Sequence, residues 1–173
     1  KGGNQMIFVI DMQNDFVDED KGILSVTNAE ELVPKIIKEI QEQEKKGEPV
    51  YYTLNQHELE DDDRSDEEKQ WGLKLVNSLK EALKNHKAIK KKFHSISPED
   101  AAELRNQYED DPDRVIKFVG VETNVCVLSN AIMLHNSFPL ATITVLKDLC
   151  AGSTEKLHNE ALDVLESLKI NIL

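Results

Sequence analysis

The chain has 173 residues, 39% of them hydrophobic, and a formal net charge of -12 from 33 acidic against 21 basic side chains. That length fits one domain, 1–173, with a substantial core. No apolar run approaches the roughly 18 residues of a membrane span, no secretory leader is expected, and so acidic a surface excludes nucleic acid and anionic membranes as partners. The two cysteines form no CxxC pair and read as free thiols in a reducing, cytoplasmic setting. Residues 1–5 (KGGNQ) read as a tag remnant or a frayed end.

Residues 6–11 (MIFVID) are a continuous apolar run closed by a carboxylate, as a parallel strand buried on both faces reads. Residues 28–46 are helical: Leu32, Val33, Ile36, Ile37 and Ile40 share a face, and Gly47 ends the element. Residues 50–54 give a second strand. Residues 58–69 (ELEDDDRSDEEK) are too charged to pack and are expected as an exposed loop with at most a frayed helical turn. A helix comes next over 72–85, with Leu73, Val76, Leu79 and Leu83 inward. Residues 88–91 give a short third strand. Ser97, Pro98 and Asp100 supply a cap, a first-turn proline and a capping-box acid, so a helix starts there. Strands are expected over 114–119, 142–146 and 170–173, and helices over 123–136 and 154–168.

Strict alternation of strands and helices implies an α/β fold, a parallel sheet covered on both faces. Ligands of such sheets sit beyond the carboxyl ends of the strands. That rule gathers Asp11, Asn55, His57, residues 90–92, residues 120–126, Asp148 and Cys150 on one rim. Cys126 falls in the first turns of a helix, where the dipole and free N–H groups favour a thiolate, and a nearby ammonium lowers its pKa further. Asp11 is placed to take the thiol proton and return it to a leaving amine. The chemistry is acyl transfer to sulfur followed by attack of water. On the residues alone, the alternative is a small buried Cys126, a loop-bonding Asp11 and a solvated lysine run.

Four segments carry a resemblance. VIDMQNDF (9–16), KKFHS (91–95), GVETNVCV (120–127) and LKDLCAGSTEKLHNEAL (146–162) resemble, in order, the motifs of the isochorismatase-like cysteine hydrolases. The resemblance implies a three-layer α-β-α sandwich around a six-stranded parallel sheet with Rossmann-like strand order. It implies a triad of Asp11, Lys91 and Cys126. Strand alternation puts Lys90 and Lys92 on one face and Lys91 on the other; Lys91 is chosen by its spacing to Ser95, with Lys92 second. It also implies a cis peptide between Val121 and Glu122, and an oxyanion hole made by the N–H groups of Glu122 and Cys126. Gln13, Phe16, Asn55, His57, His94 and Lys92 are the expected pocket residues. The implied substrate is a small amide or related C–N compound, and the implied assembly a homo-oligomer. Vinyl-ether cleavage of the isochorismatase kind, or a catalytically silent scaffold, are the alternatives.

One feature departs from the family. Its nicotinamidases hold a divalent metal through Asp-x-His after the second strand and a further histidine. Here 55–57 read Asn-Gln-His, and no histidine follows up to Asn85. The metal site reads as degraded, so no metal and no other cofactor is expected.

Overall fold

The computed structural model describes residues 4–173. Its strands are Gln5–Ile10 (β1), Val50–Asn55 (β2), Lys87–Lys91 (β3), Val115–Val121 (β4), Thr142–Ala151 (β5) and Asn171–Ile172 (β6). They form one parallel sheet in the order β3-β2-β1-β4-β5-β6. The helices are Asn14–Val17 (α1), Ala29–Lys45 (α2), Asp66–Leu73 (α3), Asn77–Ala82 (α4), Pro98–Gln107 (α5), Leu128–Ser137 (α6) and Glu155–Ser167 (α7).

The central strand β1 explains its own sequence. Met6, Phe8 and Ile10 pack with Phe118, Leu134 and Leu165 on the side of α5, α6 and α7. Ile7 and Val9 pack with Ile36, Ile40 and Leu79 on the side of α2 and α4. A strand buried on both faces cannot alternate polar with apolar residues. Each such side chain stabilises the fold by about 2 kcal/mol through removal from water.

The chain builds β2 and β3 on one side of β1, then crosses to build β4, β5 and β6 on the other. The loops after β1 and β4 therefore diverge and leave a crevice at the carboxyl edge. Gly120 lets these two strands approach: its φ is +116°, and a Cβ there would overlap the Ile10 carbonyl. Only glycine meets both demands.

Several boundaries differ from the sequence reading. Gln5 pairs with Val115, and the Asn4 carbonyl accepts the Val115 N–H at 2.8 Å, so this end is strand and not fray. Residues 1–3 of that expected remnant lie outside the described residues. The helix expected over 72–85 is two helices, broken where Leu75 bridges Gln13 in antiparallel fashion. The charged stretch 58–69 is partly folded: Ser65 and Glu68 form a reciprocal capping box that starts α3. The helix expected at 123 begins as a π turn, Thr123–Val127, before α6. Strand β5 runs on to Ala151 through an irregularity opposite Phe118 and Gly120, so Asp148 and Cys150 lie within the strand and not after it. Helix α1 has no counterpart among the expected elements. Among the described residues no helix is long and apolar enough to cross a membrane.

Candidate active site

Asp11 follows the last residue of β1 with a φ of 51°, in the left-handed region that Asp tolerates better than most side chains. Its N–H donates to Thr53 Oγ1 at 3.1 Å, and that hydroxyl donates to Asp11 Oδ1 at 2.7 Å. The other oxygen, Oδ2, accepts from Lys91 Nζ at 2.8 Å. Lys91 ends the edge strand β3, and its ammonium also donates to the Phe93 carbonyl at 3.0 Å. The Lys91 and Asp11 side chains are 0% and 1% exposed. Both act on the thiol of Cys126: Asp11 raises its pKa and Lys91 lowers it. Lys90 and Lys92 are exposed; Lys92 lies at the pocket mouth and does not reach the carboxylate.

Cys126 sits in the π turn that follows the Val121–Glu122 peptide, which is cis as the resemblance implies. The Glu122 carbonyl accepts the N–H groups of Val125 and Val127, at 3.0 and 3.1 Å, which flank that of Cys126. Asn130 fastens the turn from below. Its amide donates to the carbonyls of Cys126 (2.7 Å) and His94 (3.0 Å) and accepts the Ile96 N–H (2.9 Å). The C-terminal segment fastens it from the side. His158 shares a 2.7 Å hydrogen bond with Thr123, Ser153 bonds both Asn124 and the Glu122 carboxylate, and Thr154 caps α7.

The thiol differs from its sequence-based expectation. Burial, and next the charge of Asp11, push the Cys126 thiol up to about 12 against the opposing pull of Lys91. Desolvation and a facing carboxylate outweigh the helix start. The resting group is therefore a thiol with its base in contact, and not a free thiolate. Cys150 is pushed up to about 12 by burial. Its sulfur lies 3.9 Å from the Phe118 carbonyl, away from Asp11 and Lys91.

A cavity of about 650 Å³ opens above Cys126, lined also by Phe16, Asn55, His57, Lys92, His94 and Glu122. Asp11 and Lys91 lie beneath it. Two residues expected at the site do not line it. Val121 is buried in the sheet. Gln13 is a buried brace: its amide donates to the carbonyls of Asn55 and Leu73, both at 2.9 Å, and accepts the Asn55 N–H at 2.8 Å. Phe93, at the rim, is 77% exposed.

A second buried carboxylate, Asp15 on α1, organises one wall. Arg64 Nη1 donates to its Oδ1 at 2.7 Å and Nη2 to its Oδ2 at 3.0 Å. His57 Nε2 meets the same Oδ2 at 2.7 Å, with its ring tilted against Phe16. Arg64 is held from its other side by Asp62. Gly72 lies so close that a Cβ there would overlap the Asp15 carboxylate. Burial would raise the Asp15 carboxyl, but bonds from Arg64 and His57 outweigh it and hold the group below its ordinary value. The charged stretch expected to stay in solvent therefore sends Asp62 and Arg64 inward. These residues do not fit the divalent site of nicotinamidases: Asn55 offers a neutral amide, and a guanidinium already occupies the carboxylate that holds His57.

Fold and site together define an α/β protein built around one thiol, one carboxylate and one ammonium at a sheet crossover. The chain belongs to the isochorismatase family: residues 5–172 match the Isochorismatase domain. It is thus an isochorismatase-family hydrolase. Among solved structures it is similar to an isochorismatase-like hydrolase from Alkaliphilus metalliredigens, with 23% identity over 99% of this chain and 92% of that one and a TM-score of 0.78. A nicotinamidase from Staphylococcus aureus shares 22% identity over 98% of each chain, TM-score 0.77. A pyrazinamidase from Pyrococcus horikoshii in complex with zinc shares 21% identity over 98% of each, TM-score 0.75. Among curated proteins, none matches.

Thr53, Asn130, Asp15 and Arg64 bond residues of the site, and the sequence alone does not single them out. Asp15 lies within the first motif and Thr53 on a strand that ends at the rim, so position alone marks both. Arg64 carries one signal: it is the sole cation in 58–68.

Proposed function

We propose that the protein hydrolyses a small amide through a thioester on Cys126, releasing ammonia or an amine. One observation carries this reading: the buried Asp11–Lys91 pair meets a single thiol, and that thiol faces the cavity. The nicotinamidases among the similar structures support it.

The Asp11 carboxylate takes the Cys126 proton as the sulfur attacks the amide carbon. The carbonyl oxygen becomes an oxyanion beside the N–H groups of Glu122 and Cys126. Collapse of this intermediate breaks the C–N bond, and Asp11 delivers its proton to the departing nitrogen. Water then gives a proton to Asp11 and adds to the thioester. The second collapse expels the sulfur, which recovers a proton as the acid leaves. Lys91 stays charged throughout: it orients Asp11 and steadies the sulfur whenever it is anionic. Thr53 holds the other oxygen of Asp11, so Oδ2 is the oxygen turned toward the ammonium and thiol.

The test is ammonia release from a panel of small primary amides by the wild type, Cys126→Ala and Cys150→Ala. The reading expects turnover of at least one amide, lost in Cys126→Ala and kept in Cys150→Ala. Turnover that survives Cys126→Ala overturns it. So does a panel that gives no ammonia and leaves Cys126 of the wild type unacylated by mass spectrometry.

A further inference from the structure

We propose that Arg64 is a fixed internal cation that takes the place of the divalent ion of metal-holding relatives and positions His57 on the cavity wall. The observations are geometric. His57 follows β2 by two residues and lines the cavity beside Asn55. Its Nε2 is committed to Asp15 Oδ2, the oxygen that also receives Arg64 Nη2. Asp15 is an acceptor only, so the imidazole hydrogen on that side sits on Nε2. The guanidinium fork takes both Asp15 oxygens, an arrangement a lysine cannot reproduce. Asp62 then anchors the guanidinium at 2.9 and 3.0 Å. The His57, Arg64, Asp62 and Asp15 side chains are 11%, 17%, 6% and 0% exposed. The remaining imidazole nitrogen, Nδ1, is buried without a protein partner. Alone it gives a cation one ligand, with the neutral amide of Asn55 as its neighbour on the wall, and no stable divalent site is built from that pair.

Here the histidine is fixed by a carboxylate and an arginine from the acidic stretch. Arg64 is a positioning residue: it acts on the pocket through Asp15 and His57 and touches none of the reacting atoms. The inference stands apart from the amide-hydrolase reading, because metal uptake is read without turnover.

The experiment titrates Co²⁺, and separately Zn²⁺, into the intact metal-stripped protein and follows the visible cobalt spectrum and the heat of binding. The wild type is expected to show no one-to-one uptake. Asn55→Asp combined with Arg64→His removes the guanidinium and restores a carboxylate and a second imidazole. That variant is expected to gain one cobalt with the absorption of a low-coordinate site, and to lose it on further His57→Ala. Arg64→Lys keeps the charge without the fork and is expected to exclude the metal still, by at least about tenfold relative to the double variant. Stoichiometric cobalt or zinc binding by the wild type that His57→Ala abolishes overturns the proposal without any need for the engineered variants. A double variant that is folded by circular dichroism yet takes up no metal overturns it as well.

Discussion

Two buried carboxylates four residues apart, Asp11 and Asp15, each hold a cation, and they serve different ends. Asp11 faces Lys91 at the cavity floor, with both side chains at most 1% exposed and a thiol in contact with each. Asp15 faces Arg64 at the wall, with the guanidinium 17% exposed and a second carboxylate behind it. The floor pairs a carboxylate that can release and regain a proton with a compact point charge. The wall uses a planar fork that never deprotonates. Chemistry calls for the first kind of pair, and shape for the second.

Loss of the floor is expected to have the largest effect. Cys126→Ser and Asp11→Asn are each expected to lower amide turnover by at least about a thousandfold. Asp11→Asn carries a second signature. With the carboxylate charge gone, the Cys126 thiol falls from about 12, so its alkylation by iodoacetamide sets in at lower pH than in the wild type. An unchanged alkylation profile would show that Asp11 does not act on the sulfur. Next come the cations. Lys91→Met leaves Asp11 buried and unpaired and is expected to destabilise the fold by about 3–5 kcal/mol in urea titrations. Arg64→Met is expected to destabilise by less, about 2–3 kcal/mol, because Asp15 keeps His57. Its kcat should fall by no more than about tenfold, the range seen for outer partners. Equal loss of kcat in both variants would erase the distinction between floor and wall.

Thr53→Val comes lower: it removes both bonds to Asp11 and is expected to cost about 1–3 kcal/mol of stability in urea titrations. The smallest effect concerns Cys150. Its thiol is raised from 9.0 to about 12 in the folded chain. A raised acid contributes stability that is complete below the unfolded value and is lost as pH rises through the folded one. Stability should therefore decline between about pH 9 and 12, and less steeply in Cys150→Ala. Turnover near neutral pH should be the same in that variant, since Cys150 touches neither Asp11 nor Lys91.

The floor is legible in the sequence, as are Phe16, Asn55 and His57 on the wall; the Asp15–Arg64 pair behind them is not. MIFVID reads as a central strand because both its faces are apolar, and the crossover rule puts its closing carboxylate, Asp11, at the ligand edge. The same rule brings residues 90–92 to that edge, and the resemblance, through the spacing to Ser95, picks Lys91 among them. Arg64 has no such rule: its partner lies 49 residues earlier in the chain, and in a stretch so rich in carboxylates a cation looks neutralised locally. The capping box of Ser65 and Glu68 is visible in the letters, but charge density argues for solvent and masks it. The break between α3 and α4 depends on the pairing of Leu75 with Gln13, a contact between segments that no local periodicity reports. The thiol departs from expectation for a different reason. Dipole arguments treat a helix start as if it stood in solvent, whereas Cys126 is buried against a carboxylate.

Asn130 ties the carbonyls of Cys126 and His94 and the N–H of Ile96 into one knot. The nucleophile turn and the segment after the lysine strand therefore travel together, as one half of a mould. The wall carrying His57 and Arg64 joins the lysine strand at the backbone, where the Gln56 N–H donates to the Lys91 carbonyl at 2.9 Å. Side-chain changes confined to 57–65 would then reshape that wall and leave the knot around the thiol as it is. In this chain, the segment densest in charge is also one that shapes the cavity.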